Sequence, residues 1–379
     1  MTIYLDNSAT TFPKPESVYR AVDHAFRTYG ANPGRGGHRM SLESARMIFD
    51  ARETAADFID TDDASRIVFT SGATEAINLA LFGLLSPGDR VVTTSMEHNA
   101  VIRPLHALQK RGVEVVTVEA EADGRVPVDR IEAACTVETR LVAMTHCSNV
   151  TGTVQDIDAV AAICRKVGAR FLVDAAQSAG ILPLSVRRSG IDLLAVAGHK
   201  SLLGPPGVGF LYIAPDLELE PLIYGGTGTQ SRSAELPQEM PERFESGTLN
   251  TPGIAGLQAG ISYLQETGVE AVRNGEKKLV KALSDGLRSI DQVEVYGPER
   301  FEQHGGAVSF NCAELDPAEV GYRLDHEFDI MVRVGLHCAP DAHRTIGTFP
   351  RGTVRVSPGC FNTVGDIDRL LNAVKEIIS

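Results

Sequence analysis

Short apolar runs separated by helix-period segments dominate the first two-thirds of the chain. Seven of these runs are strand candidates, at residues 67–70, 90–94, 113–118, 141–145, 170–174, 193–197 and 208–213. Most of them are apolar throughout, which is typical of strands covered on both faces. Helical periodicity lies between several of them, for example at 74–85 and 157–167. This alternation predicts a doubly wound α/β domain with a mostly parallel, seven-stranded sheet.

One connection between strand candidates breaks this alternation. Residues 198–207, between the last two candidates, are rich in Gly and Pro and too short for a helical crossover. We therefore expect the strand that follows them to run antiparallel to its predecessor.

The last third of the chain predicts a smaller α/β domain. Residues 225–253 are rich in Gly, Ser, Thr and Pro and have no period, which indicates a long functional loop. Two helices are predicted within 253–289, then short strands at 307–310, 330–333 and 353–357 and a final amphipathic helix. We expect a large domain at 15–255 and a small C-terminal domain at 256–379, with residues 1–14 packing on the small domain.

Composition restricts the class of protein. With 43% hydrophobic residues, a chain of 379 residues can bury two cores. A net charge of −13 gives it no attraction to nucleic acid or to an anionic membrane. No apolar stretch is long enough to span a bilayer, and the first residues lack a signal-peptide pattern. Six scattered cysteines without a C-x-x-C pair favour a cytoplasmic protein with free thiols.

Polar residues follow several strand candidates, at the sheet edge where open α/β proteins place their sites. Residues 70–75 read TSGATE, where free N–H groups at a helix start and the Thr74 hydroxyl suit a phosphate. A simple capped helix is the alternative. Asp174 ends an apolar strand, where a carboxylate is costly without a partner. A protonated pyridine nitrogen is one such partner, with Gln177 near a ring hydroxyl, and a helix cap is the alternative.

Lys200 lies three residues after the apolar run 193–197, at the end of a buried strand where an amine is easily desolvated. Desolvation favours the neutral amine that forms Schiff bases. A surface lysine or an imperfect phosphate-binding loop are the alternatives, and the loop fails because no Gly directly precedes Lys200. His98 follows the strand 90–94 and is able to stack on a planar ring and to move protons. A lone histidine of this kind is more often structural.

These features occur in the order of a known family. The chain contains TSGATEAINL, SMEHNAV, THCSNVTGT, FLVDAAQSAG, AGHKSLLGPPGVG and RFESGTLNTPGIAG, with YLDNSATTFPKP before them and RVGLHCAP and TVRVSPGCFNT after them. These segments resemble the class V aminotransferase family and, within it, the cysteine desulfurases. The resemblance spans nearly the whole chain. It implies the pyridoxal 5′-phosphate (PLP) enzyme fold type I, PLP as cofactor and a homodimer.

The resemblance also implies a role for each matching residue. Lys200 holds PLP as an imine, and Asp174 pairs with the protonated pyridine nitrogen. Gln177 hydrogen-bonds the phenolic oxygen, and His98 stacks on the ring. The phosphate is held by Gly72, Ala73, Thr74 and His199, and across the dimer by Thr248. The amino-acid carboxylate is bound by Asn149 and Arg355.

The reaction depends on the segment RVGLHCAP at 333–340. It resembles the R-x-G-H-H-C-A motif of group II (Suf-type) desulfurases and selenocysteine lyases, which implies that Cys338 is the nucleophile. His337 adjoins the thiol and is expected to lower its pKa, since the thiolate is the attacking form. A buried apolar cysteine is the alternative, and Cys147 and Cys360 are the backup nucleophiles. A metal site of His337, Cys338 and His343 lacks a good fourth ligand, so we expect no metal.

Two positions depart from the family pattern. The family usually has Ser three residues before the lysine, where this chain has Ala197, so one phosphate donor is lost. Thr227 or a water molecule is the alternative donor. Leu336 replaces the first His of the cysteine motif, which keeps selenocysteine lyase open as an alternative function.

The implied reaction converts L-cysteine to L-alanine and leaves the sulfur as a persulfide on Cys338. L-Selenocysteine is the alternative substrate, and a sulfur-acceptor protein is the expected partner. Another class V aminotransferase or lyase is a second rival. A catalytically silent sulfur scaffold is a third, against which the intact set of Lys200, Asp174, His98 and Cys338 argues.

Overall fold

A seven-stranded sheet forms the centre of the larger part of the protein. The structure, a computed structural model, describes residues 2–34, 36–300 and 303–379. The elements up to the end of this sheet are β1 (Ile3–Tyr4), α1 (Glu16–Thr28), α2 (Arg39–Phe58), β2 (Ile67–Thr70), α3 (Ala73–Leu84), β3 (Arg90–Thr94), α4 (Asn99–Gln109), β4 (Glu114–Val118), α5 (Val128–Ala134), β5 (Thr139–Thr145), α6 (Ile157–Val167), β6 (Arg170–Asp174), α7 (Val186–Ser189), β7 (Leu193–Ala197) and β8 (Gly209–Ile213).

The strand order of this sheet is β2-β8-β7-β6-β5-β3-β4. Strand β8 is antiparallel to both neighbours, and the other adjacent pairs are parallel. The predicted mostly parallel sheet and its antiparallel strand are therefore confirmed. All seven predicted strands agree with the structure to within two residues. The agreement has a physical cause, since strands such as β2, β7 and β8 are buried at every position and so read as unbroken apolar runs.

Residues 214–250 contain neither helix nor strand, close to the long loop predicted at 225–253. The elements that follow are α8 (Thr251–Thr267), α9 (Val269–Arg288), β9 (Val293–Tyr296), β10 (Val308–Cys312), α10 (Pro317–Phe328), β11 (Ile330–Met331), β12 (Arg333–Gly335), α11 (Pro340–Thr345), β13 (Thr353–Val356) and α12 (Val364–Ile378). Strands β12, β13, β10 and β9 form an antiparallel sheet in that order.

The strand predicted at 330–333 is two strands in different sheets. Strand β11 pairs in parallel with β1, whereas β12 pairs with β13, so the backbone partners change at Val332. Hydrophobic periodicity does not show where a strand changes its pairing partner, because the partner β1 lies more than 300 residues away in the sequence. The prediction of one continuous strand was wrong for this reason.

The apolar side chains form two cores. The larger lies around the seven-stranded sheet and includes Leu257 and Ile261 of α8. The smaller lies around the four-stranded sheet and includes Ile3 and Leu5 of the N-terminal segment. The division at residues 255 and 256 stays a prediction. Within the described ranges, no helix combines the length and the apolar character that crossing a membrane requires.

A buried ion pair attaches the long loop to the larger core. Arg52 Nη1 and Nη2 donate to Glu245 Oε1 and Oε2, each at 2.8 Å, and both side chains are almost fully buried. The Phe69 N–H also donates to Glu245 Oε1 at 2.7 Å, and the guanidinium lies 4.6 Å from the Phe69 ring centroid. The end of the loop is therefore tied to α2 and β2 by charge as well as by packing.

Replacing Arg52 with Met is expected to lower the free energy of unfolding by about 3–5 kcal/mol, because Glu245 then stays buried without its counter-charge. Urea unfolding followed by circular dichroism measures this loss. The matched control is Arg27→Met, which removes the exposed pair with Asp23 and is expected to cost much less. Equal losses in the two variants would contradict the importance of the buried pair.

Candidate active site

A cavity of about 180 Å³ lies at the carboxyl edge of the parallel strands. Its lining contains nine of the residues that the sequence predicted, namely Gly72, Ala73, Thr74, His98, Asn149, Asp174, Gln177, His199 and Lys200. These come from the ends of β2, β3, β5, β6 and β7, which the sheet topology brings to one edge. The lining also includes Ser71, Ala100, Thr145, Cys147, Ala176 and Ala197. Three predicted residues, Cys338, Arg355 and Thr248, do not line it.

One end of the cavity is formed by backbone N–H groups where α3 begins. Gly72 precedes the helix with φ of 152°, a conformation that residues with a side chain rarely adopt. The first N–H groups of a helix lack partners within the helix and attract anions. His199 adds a buried Nδ1 that has no hydrogen-bond partner among the described residues. Burial lowers the pKa of His199 to about 4, so its ring is neutral and able to donate or accept one hydrogen bond.

Asp174 ends β6 as a buried carboxylate. Its Oδ1 accepts a hydrogen bond from the Ala176 N–H at 2.9 Å, and no described Lys or Arg lies within ion-pair distance. Burial raises the pKa of Asp174, and the Ala176 hydrogen bond and the Lys200 charge oppose that rise. A carboxylate in this position gains from a cationic N–H partner inside the cavity.

Lys200 follows β7 on a short turn that the N-terminal segment holds in place. The Thr11 hydroxyl donates to the Lys200 carbonyl at 2.8 Å, and the Leu203 N–H donates to the same oxygen at 2.8 Å. Burial lowers the pKa of the Lys200 amine to about 8, assisted by Arg355 and Arg333 and opposed by Asp174. A substantial neutral fraction at physiological pH makes the amine nucleophilic.

His98 caps α4 and lines the same cavity as Lys200. Its Nδ1 accepts the Ala100 N–H at 3.0 Å, which leaves Nε2 as the protonated nitrogen. Burial, and to a smaller extent the charge of Lys200, lowers the pKa of His98 to about 4. The ring is therefore neutral near pH 7, as stacking on an electron-poor aromatic ring requires.

Glu97 is a buried carboxyl group next to the cavity-lining residue Thr145, and sequence reasoning gave it no role. It is fully buried, and its Oε1 accepts the Thr94 hydroxyl at 2.6 Å and the Thr145 N–H at 3.1 Å. Burial raises the pKa of Glu97 to about 8, and nearby Asp174 contributes to the rise. A largely protonated Glu97 places no second negative charge beside Asp174. The only signal in the sequence was a charged residue between an apolar strand and His98.

Two predicted cofactor residues have partners outside the cavity. Gln177 Nε2 donates to the Ser8 carbonyl at 2.9 Å, which fixes the orientation of its amide. Thr248 is exposed, and its hydroxyl accepts the Asn32 amide at 2.9 Å. Thr248 lines a different surface hollow from that of Lys200, so its predicted contact with a phosphate requires a second subunit and stays a prediction.

Cys338 lies on a strained turn beside the cavity. Of the six cysteines, all within the described part of the chain, it alone is exposed. His337 and Cys338 have φ of 48° and 60°, in the left-handed region that non-glycine residues rarely adopt. Asn149 Nδ2 donates to the His337 carbonyl at 2.7 Å, and the Asn99 N–H donates to the Cys338 carbonyl at 2.7 Å. The turn is thus held by one residue of the cavity wall and by the neighbour of His98.

The expectation that His337 acidifies Cys338 was wrong. His337 is buried with Nε2 3.0 Å from the Thr353 hydroxyl, and burial lowers its pKa to about 2, so it carries no positive charge. The cation at the thiol is Arg333, whose Nη2 lies 3.4 Å from Sγ. His343 bonds the Thr348 hydroxyl, and the described residues contain no group of three metal ligands that joins it to His337 and Cys338.

The two backup cysteines are poor nucleophiles. Cys147 lines the cavity but is buried, and burial raises the pKa of its thiol to about 12. Cys360 is partly buried, and burial together with Glu276 raises its pKa to about 12. Both remain thiols at physiological pH, whereas the thiolate is the reactive form.

A family model described as aminotransferase class-V matches residues 3–370, nearly the whole chain. The chain belongs to the class-V aminotransferase family. This membership and the seven-stranded sheet confirm the predicted fold class, and they make the chain an enzyme of that family.

Several relatives of this class-V aminotransferase family member are named cysteine desulfurase. A probable cysteine desulfurase of Methanothermobacter thermautotrophicus is 41% identical over 99% of this chain and 94% of the relative. An apo cysteine desulfurase structure from Thermococcus onnurineus is 36% identical with a TM-score of 0.93, covering 100% of this chain and 94% of that one. Cysteine desulfurase CsdA from Escherichia coli, in an S-sulfonic acid form, is 29% identical with a TM-score of 0.88, covering 99% and 94%. These names do not favour the selenocysteine lyase alternative.

Enzymes of the class-V aminotransferase family use pyridoxal 5′-phosphate, and the donors of this cavity fit that group. The α3 start and the unpaired His199 Nδ1 suit its phosphate. Asp174 lacks the cationic partner that a protonated pyridine nitrogen supplies. Ala197 also lines the cavity. Its methyl group cannot donate a hydrogen bond, so this chain lacks the hydroxyl that the usual Ser supplies at that position.

Proposed function

We propose that this chain is a PLP-dependent cysteine desulfurase that converts L-cysteine to L-alanine and carries the sulfur as a persulfide on Cys338. The observation that carries the proposal is the exposed thiol of Cys338, held by Asn149 and Asn99 beside the cavity that contains Lys200. Full-length similarity to cysteine desulfurases supports it.

Lys200 would hold the cofactor aldehyde, Asp174 its pyridine nitrogen, and Gln177 its phenolic oxygen. The remaining contacts are the stacking of His98 and the phosphate contacts of Gly72, Ala73, Thr74 and His199. When bound, PLP supplies an electron sink that makes the Cα proton of an amino acid removable. Asp174 favours this chemistry because its negative charge stabilises a protonated ring nitrogen.

Lys200 is the group that moves the Cα proton. A pKa of about 8 leaves part of the Nζ amine unprotonated near neutral pH, which is the state a general base needs. The Thr11 hydroxyl donates to the Lys200 carbonyl and so fixes the backbone from which the side chain extends to the cavity. His98, neutral near pH 7, orients the ring and keeps water from that side of the cavity.

Cys338 takes the sulfur from the substrate. Its Sγ attacks the substrate sulfur, the new S–S bond replaces the C–S bond, and the carbon product leaves as alanine after protonation. The Arg333 guanidinium lies 3.4 Å from Sγ, within hydrogen-bond distance of the thiol. Asn149 and Arg355 would hold the substrate carboxylate on the same side as Cys338.

A homodimer and a separate sulfur acceptor belong to the same proposal. Thr248 serves a phosphate only in a second subunit, and large apolar side chains are exposed around its loop and on α2, namely Phe49, Leu222, Ile223 and Tyr224. A persulfide on an exposed turn suits transfer to a thiol of another protein. Six free cysteines suit a reducing, cytoplasmic setting.

The products of the reaction test this function. With L-cysteine as sole substrate, the PLP-loaded protein is expected to release L-alanine in amounts equal to the sulfide recovered after a thiol reductant. Amino-acid analysis and a sulfide assay measure the two products. An oxo acid in place of alanine would show a transaminase, and turnover of L-selenocysteine without turnover of L-cysteine would show a selenocysteine lyase.

A further inference from the structure

Arg355 is a fully buried cation whose counter-ion comes from the N-terminal segment. Its Nη2 donates to Asp6 Oδ1 at 2.6 Å, and Asp6 is the one carboxylate paired with it in the described ranges. The Arg355 side chain is 1% exposed and the Asp6 side chain is 20% exposed. The buried arginine is therefore paired with a carboxylate that is partly in contact with solvent. Burial lowers the pKa of Arg355, and Asp6 opposes that shift.

The guanidinium is held in a defined orientation with a donor to spare. Its Nη1 donates to the Asn149 carbonyl at 3.0 Å, while Nη2 is the nitrogen that donates to Asp6. A guanidinium has five N–H donors in a fixed plane, and Nε is buried without a partner among the described residues. Asn149 lines the cavity, so Arg355 lies directly behind the cavity wall.

Arg355 also has a second arginine beside it. Arg333 lies directly opposite Arg355 in the β12–β13 register. Both positive charges act on Lys200, and each lowers its pKa. The Asp6 carboxylate is the negative charge paired with Arg355, whereas Asp174 is the carboxylate that acts on Lys200 directly.

The segment that carries Asp6 touches the cofactor side of the cavity as well. The Ser8 carbonyl accepts the Gln177 amide, and Thr11 donates to the Lys200 carbonyl. Asp6 itself is held by a backbone bridge to Ser357, two residues after Arg355. One short segment thus sets the position of Arg355 relative to Lys200.

We infer that Asp6 is a positioning residue with two roles. First, Asp6 fixes the Arg355 guanidinium so that the unpaired Nε–H is directed to the substrate carboxylate. Second, the negative charge of Asp6 offsets the positive charge of Arg355 at Lys200. The first part rests on the proposed function, since it takes Arg355 as the carboxylate site. The second part concerns only the charge at Lys200 and is independent of the substrate.

Steady-state kinetics of two Asp6 variants test the positioning role. Asp6→Ala is expected to raise KM for L-cysteine by about ten-fold or more with kcat changed by less than about three-fold, because the guanidinium loses its orienting acceptor. Asp6→Asn keeps an oxygen at the same place and is expected to raise KM by less than Asp6→Ala does. The matched controls are Asp23→Ala and Asp23→Asn, which alter an exposed pair on α1. A KM within two-fold of wild type in Asp6→Ala, or an equal rise in Asp23→Ala, overturns the inference.

A pH titration of the absorbance of PLP-loaded Asp6→Asn tests the charge role without turnover. Removing the negative charge of Asp6 leaves the positive charge of Arg355 uncompensated, which disfavours a protonated imine nitrogen. The midpoint of the imine titration is therefore expected to move to lower pH by about 0.3 unit or more. Asp174, Arg333, Arg355 and Cys338 act on Lys200 and are unchanged in this variant, and His98 and His199 are neutral near pH 7.

An unchanged midpoint in Asp6→Asn overturns the charge role, and it does so even where Asp6→Ala does not fold. Failure of the proposed function gives a different result, because the wild-type protein would then form no alanine from L-cysteine. The shift of the midpoint between wild type and Asp6→Asn remains measurable in that case.

Discussion

Replacing Lys200 with alanine is expected to remove the imine absorbance band of the PLP-loaded protein and to lower alanine formation by at least about 10³-fold. Under the proposed function, the variant loses both the amine that would hold the cofactor aldehyde and the base that would take the Cα proton. No other described lysine lines the cavity. The ultraviolet–visible spectrum and the rate of alanine release measure the two effects.

The loss in Lys200→Ala is expected to be confined to the chemistry. The α3 start, Asp174 and His199 do not depend on the Lys200 side chain, so added PLP should still bind without a covalent bond. The control is Lys166→Ala, which removes an exposed lysine paired with Glu132 and is expected to leave spectrum and rate unchanged. An imine band of full height in Lys200→Ala would show that another amine holds the cofactor.

Replacing Cys338 with alanine is expected to keep the imine band and to lower alanine formation from L-cysteine by about 10²-fold or more. The band is kept because Cys338 lies outside the cavity lining and contributes no cofactor contact. The rate falls because the two backup nucleophiles, Cys147 and Cys360, have pKa values raised by burial to about 12.

The matched control for Cys338→Ala is Cys135→Ala, at the end of α5 and away from the cavity. It is expected to keep both the imine band and the rate. Wild-type turnover of L-cysteine by Cys338→Ala would contradict the nucleophile assignment. Loss of the imine band in that variant would instead show that the turn at 337–338 supports the cofactor pocket.

Much of the fold followed from hydrophobic periodicity, because buried strands and amphipathic helices leave a local pattern. The antiparallel direction of β8 followed from the length of one connection, since ten residues rich in Gly and Pro cannot cross the sheet. Pairing between distant segments has no such local pattern. The parallel pair of β1 with β11 joins residues 3–4 to residues 330–331, and the prediction of one strand at 330–333 failed there.

The sequence predicted the site residues that lie at strand ends and within segments that resemble the family. Nine of the predicted residues line one cavity. Residues that act through others were not predictable. Arg333, Glu97 and Asp6 become visible only when the strands place them beside Cys338, Asp174 and Arg355. The error at His337 has the same origin, because adjacency in sequence does not show that a ring is buried and neutral.

The most direct test of the account is a mass measurement of the cysteine peptides after the PLP-loaded protein has been mixed with limiting L-cysteine and quenched. The account predicts that the peptide containing Cys338 gains the mass of one sulfur atom and that L-alanine appears in equal amount. Alanine formed with the extra sulfur on another cysteine, or on none, would contradict it.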